Sequence, residues 1–138
     1  MKLFSKSIVI CFDWVDYWDN AICEADFDDK DDQLYGLDDD EMDVILKKDF
    51  NDSVKHTIPS YLHEHLRTSD NGSIELWSDN LTLEDLIEVL SVFCNPFWES
   101  IDTEGSIYRQ DGLFVHLYIF GDNGYQCLNL KDMVIDID

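Results

Sequence analysis

Between positions 13 and 43 the chain carries fourteen acidic residues and a single base, Lys30. Burying that many carboxylates without partners is too unfavourable for any fold, so this stretch must lie at the surface and the core must come mainly from what flanks it. Trp14, Tyr17, Trp18, Phe27, Leu34, Tyr35 and Leu37 are interleaved with the acids. Large side chains at that density separate the stretch from a free acidic tail and predict a docked, partly ordered segment on the face of a domain.

The flanks supply that domain. Residues 7–15, SIVICFDWV, are rich in β-branched and aromatic side chains and predict a first strand, central or well covered. A helix is predicted over 39–50, with Asp39 to Glu41 on its first turn and Lys47 and Lys48 near its end, both signs suiting the helix dipole. Pro59 opens a short helix through Leu66, Ser69 to Gly72 reads as a turn, and Ser73 to Trp77 as a short strand. Thr82, with Asp85 three residues on, approximates a capping box. Leu83, Leu86, Ile87, Leu90 and Phe93 then make an apolar stripe over 82–93, which Pro96 stops.

Beyond it, strands are predicted at 98–102, 106–109, 113–120, 125–130 and 133–137. The dipeptides Glu104-Gly105, Asp111-Gly112 and Asn123-Gly124 punctuate them as hairpins. Residues 113–120 are apolar on both alternating faces apart from His116, which predicts a central strand. The expected architecture is a single α+β domain over 1–138, an antiparallel sheet made of a C-terminal β-meander and the N-terminal strand, packed with two to three helices.

The 138 residues include 31 acidic and 9 basic ones, a formal net charge of -22, whereas small soluble domains usually carry a magnitude of about 2–8. Such a field repels nucleic acid and anionic membrane surfaces and speeds encounter with a basic partner. The basic footprint that nucleic-acid binding needs is missing. The bland alternative is acidity that serves solubility or salt tolerance, but the clustering of the acids argues against it. Asp13 and Asp16 interrupt the N-terminal apolar run before a signal-peptide core forms, and no apolar run is long enough to span a bilayer. The expectation is a cytoplasmic protein whose Cys11, Cys23, Cys94 and Cys127 are reduced thiols, Cys11 and Cys94 lying in the core.

Motifs for chemistry fail on spacing. His63-Glu64-His65 puts two imidazoles at i and i+2, which point apart on a helix, where a metal motif needs three or four residues between them. No EF-hand register fits: counting from Asp29 puts Leu34 where glycine is required, and counting with Gly36 sixth puts Met42 at the twelfth position. No nucleophile elbow, SxxK or phosphate loop occurs. The expectation is therefore no enzyme, no cofactor and no metal.

What remains is the acidic cluster with its aromatics. Carboxylates complement a lysine- and arginine-lined cleft, and Trp or Tyr anchors add buried area at the centre of an interface. The predicted partner-binding residues are Asp28, Asp29, Asp31, Asp32, Asp38, Asp39, Asp40 and Glu41, with Trp18 or Tyr35 as anchor. Reversing Asp38, Asp39 and Asp40 to lysine is expected to abolish binding without unfolding the domain.

In size, acidity and this Asp-rich, aromatic-bearing segment, the chain resembles bacterial immunity proteins that neutralise nuclease toxins of colicin or contact-dependent growth-inhibition systems. No sequence motif carries the resemblance, and those proteins have many folds. It implies a tight one-to-one inhibitor that occludes the basic active site of a cognate toxin. The competing expectation is a nucleic-acid mimic that inhibits a DNA- or RNA-binding host or defence protein. A mimic spreads carboxylates along a rod, whereas these gather in the N-terminal third. An enzyme with an unrecognised site is the third, and a deep pocket with perturbed titratable groups marks it.

Overall fold

Asp13 decides how the chain leaves its first strand. The computed structural model describes residues 7–92, 98–100, 106–109, 112–121 and 124–127. Strand β1 (Ser7–Phe12) stops one residue before Asp13, whose carboxylate accepts a hydrogen bond from the Asp16 amide at 2.9 Å and caps helix α1 (Trp14–Glu24). The expected strand over 7–15 is thus three residues too long, and the expected acidic segment 16–43 begins as a helix. Trp14, Tyr17, Trp18, Ala21, Ile22 and Ala25 recur at three and four residues and pack against the core, which turns the acids outward.

Helix α2 (Asp39–Thr57) begins where predicted, behind a full capping box: Glu41 N–H donates to Asp38 Oδ1 at 2.8 Å, and Asp38 N–H to Glu41 Oε1 at 3.3 Å. It runs seven residues past the expected end because Met42, Leu46, Phe50, Val54 and Thr57 continue one buried stripe and no breaker precedes Pro59. The helix expected after Pro59 is a 3-10 turn over Ser60–His65, with Leu62 buried. Helix α3 (Leu83–Val92) is the predicted one, and Thr82 and Asp85 exchange the two bonds of the box.

The remaining strands are β2 (Leu66–Thr68), β3 (Ile74–Trp77), β4 (Trp98–Ser100), β5 (Ser106–Arg109), β6 (Phe114–Gly121) and β7 (Gly124–Cys127). They form one antiparallel sheet in the order β2-β3-β1-β6-β5-β4, with β7 pairing β6 beyond β5. The fold is α+β. The meander β4 to β6 and the N-terminal strand β1 beside it match the sequence expectation, and β6 is central as predicted; β7 returns to the edge of β6 that β5 occupies. The strand expected at 133–137, the Glu104-Gly105 turn, Cys94 and Pro96 lie outside the described residues.

Alternation along the strands divides the sheet into two faces. Ile8, Ile10, Phe12, Ile74, Leu76, Val115 and Leu117 join one buried cluster with Trp14 and Tyr17 of α1, Leu46, Phe50 and Val54 of α2, and Leu86, Val89 and Leu90 of α3. Val9, Cys11, Glu75, Trp77, His116 and Tyr118 therefore fall on the opposite face. Register lines four of its residues up in a row, Arg67 opposite Glu75, Glu75 opposite Cys11, and Cys11 opposite His116. No described helix is long and apolar enough to cross a membrane.

Candidate protein-binding surface and a carboxylate–histidine cluster

The loop between α1 and α2 is acidic and also built. Four successive backbone turns tie Asp29 to Asp26, Asp32 to Asp29, Tyr35 to Asp32 and Leu37 to Leu34. Aspartate side chains reinforce them: Asp26 accepts from the Asp28 amide, Asp29 from the Asp31 amide, and Asp32 from the amides of both Leu34 and Asp26 at 2.9 Å each. Those two amides hold the Asp32 carboxyl below its ordinary range. Leu34 is 2% exposed and nails the loop to the core. The Gln33 amide reaches Asp49 of α2, and Gly36, at φ 73, turns the chain towards Asp38.

This framework places most of the predicted residues at the surface. Asp28, Asp29, Asp31, Asp38, Asp39, Asp40 and Glu41 are exposed. Among the described residues the lysine ion pairs, Lys47 with Asp43 and Lys48 with Asp52, reach none of them. Tyr35 is 42% exposed and Phe27, which the sequence reading passed over as an anchor, 45%. Trp18 is different: it packs against the core with its ring 6.0 Å from that of Trp14, so it supports α1 more than it offers a free anchor. Asp32 and Asp38 have local duties as loop tie and helix cap. The Asp38–Asp40 reversal therefore cannot leave folding untouched; Asp29 ties the Asp31 amide, and the exposed Asp28 and Asp31 are the cleaner pair.

A second group, which the sequence did not reveal, lies at the other end of α1. The His116 ring Nε2 is 3.0 Å from Asp13 Oδ2 and 3.4 Å from Asp16 Oδ2. The hydrogen bond to Asp13 holds the imidazolium above its ordinary range against the opposing effect of burial. Burial works upward on Asp13 too, but the His116 ring and the Asp16 amide outweigh it and keep that carboxyl low. Burial and the Asp13 charge push Asp16 up. His116 and Asp13 lie 103 residues apart in sequence and are joined by the β1–β6 pairing, which sets Cys11 opposite His116, and by the Asp13 amide donating to the Phe114 carbonyl. The one signal in the sequence was a histidine on an otherwise apolar strand.

Asp13 also borders a cleft of about 430 Å³ with Cys11, Asp70, Glu75 and Tyr118 on its walls. The Cys11 thiol is no nucleophile there: burial, then the charges of Glu75 and Asp13, push it up to about 12. The His63-Glu64-His65 motif builds no such group, because His63 Nε2 lies 2.8 Å from the carbonyl oxygens of Lys55 and Ile58 and closes the end of α2. No protein-family model, curated protein or solved structure matched the chain.

Proposed function

We propose that the chain is an acidic protein inhibitor that binds and neutralises a basic cognate toxin, a nuclease, as an immunity protein does. The observation that carries this reading is the ordered loop 25–38, which holds exposed Asp28, Asp29 and Asp31 around half-exposed Phe27 and Tyr35. Because backbone turns and Asp32 already fix the loop, binding loses little further chain entropy. Exposed carboxylates around aromatic anchors complement a lysine- and arginine-lined cleft. The concentration of acids in one loop, rather than along a rod, favours a local protein interface over nucleic-acid mimicry.

The test is rescue. The product of the neighbouring gene is expressed alone and together with this chain, with growth and complex formation measured. The reading expects growth restored and a one-to-one complex on size exclusion. It also expects Asp28→Lys and Asp31→Lys combined to abolish both while the circular dichroism melt is retained. A double variant that still rescues removes the loop from the interface. Arrest by that product and by every other toxin encoded in the source genome, unrelieved by the chain, retires the inhibitor reading.

A further inference from the structure

The cluster at the start of α1 brings one imidazole nitrogen and two carboxylates to a single point between α1 and β6. We infer that Asp13, Asp16 and His116 form a binding site for one divalent transition-metal ion, separate from the acidic loop and independent of the inhibitor reading. An imidazole nitrogen and two carboxylate oxygens lie within 4.8 Å of one another. Two atoms bound at about 2.1 Å to one ion lie about 3.0 Å apart at a right angle and about 3.4 Å apart at the tetrahedral angle. Those are the separations of His116 Nε2 from Asp13 Oδ2 and Asp16 Oδ2, 3.0 and 3.4 Å.

A cation at a helix N-terminus meets an unfavourable dipole, and Asp13 answers that objection with its two oxygens. Oδ1 accepts from the Asp16 amide and satisfies the helix end, while Oδ2 faces the His116 ring nitrogen, so an ion bound between them takes the place of the shared ring proton. The ligands come from rigid elements: Asp13 is the cap residue, Asp16 lies on the first turn, and His116 is fixed by its pairing across β1. The side chains of His116, Asp13 and Asp16 are 19%, 22% and 43% exposed, accessible to an ion yet partly desolvated. Three protein donors leave positions for water from the cleft that Asp13 borders. Nitrogen with carboxylate oxygen suits zinc, manganese, cobalt or nickel, whereas magnesium and calcium prefer oxygen alone.

The full chain is titrated with cobalt(II) in excess magnesium, which occupies surface carboxylates, while visible absorption and amide NMR signals are followed. The site expects one equivalent to bind and signal loss to centre on Asp13, Asp16 and His116. His116→Ala and Asp16→Asn should each weaken binding by about tenfold or more. Because His116→Ala also removes a fold contact, Asp16→Asn is the decisive variant, with its melt as the folding control. A folded Asp16→Asn that binds as tightly as the parent, signal loss centred on the acidic loop, or no binding by the parent overturns the assignment.

Discussion

Cys11 stands across the β1–β6 pair from His116, an adjacency that on a residue list alone suggests a thiol–imidazole pair. Each neighbour argues against it. The His116 Nε2 is turned to Asp13 and Asp16, so it is not an available base. Glu75, on the other side of Cys11 in the cross-strand row, and Asp13, two residues along, both repel a thiolate. With burial added, the thiol is raised to about 12, so it stays protonated at any pH at which the protein is handled. Cys23 is exposed near the end of α1. Iodoacetamide at mildly alkaline pH should therefore label Cys23 and spare Cys11 in the folded protein, and label both in denaturant, as read by peptide mass spectrometry. Equal labelling of the two in the native state contradicts the burial and charge argument.

Helix α2 shows at the scale of an element why charge at its start cannot be altered freely. Asp38 closes a capping box, while Asp39 and Asp40 contribute only their charge to the first turn. Asp38→Ala should destabilise the protein by about 1 kcal/mol. Asp39→Ala, whose contribution is the helix dipole alone, should do so by about 0.3–1 kcal/mol at low salt. Urea denaturation measures both, and equal losses that persist at high salt contradict the distinction. The same comparison shows what the sequence made legible. Thr82 with Asp85, the acids before Met42 and the turn at Gly112 are local signals, and they yielded α3, the start of α2 and the β5–β6 hairpin. Helix α1 was hidden although its stripe from Trp14 to Ala25 is as regular as that of α3, because Trp14 and Val15 prolong the β-branched and aromatic run of β1 and the interleaved acids dilute the apolar period. The Asp13–Asp16–His116 cluster was invisible for a different reason: it exists only through strand register across the whole chain. Asp28, Asp29, Asp31 and Tyr35 were identified as surface candidates from composition, but Trp18 could not be told from them without knowing which way α1 faces.

The whole molecule has to fold against its own field. A net charge of -22 makes self-repulsion in the native state large, and the repulsion is long-ranged enough for salt to screen it. The melting temperature of the isolated chain should therefore rise as sodium chloride goes from about 0.01 M to about 0.5 M, where the screening length falls from about 30 Å to a few ångströms. Binding to a basic partner has the opposite dependence, since the same screening weakens attraction across the interface and slows association. Charge reversal of Asp28 and Asp31 separates the two effects. It takes the net charge from -22 to -18 without touching the Asp29 and Asp32 ties or the Asp38 cap, so the isolated variant should melt no lower than the parent at low salt while its affinity for a basic partner falls. Melting and binding that drop together would mean that these carboxylates hold the loop rather than contact a partner, and the exposed aromatics Phe27 and Tyr35 would then be the residues to test for the interface.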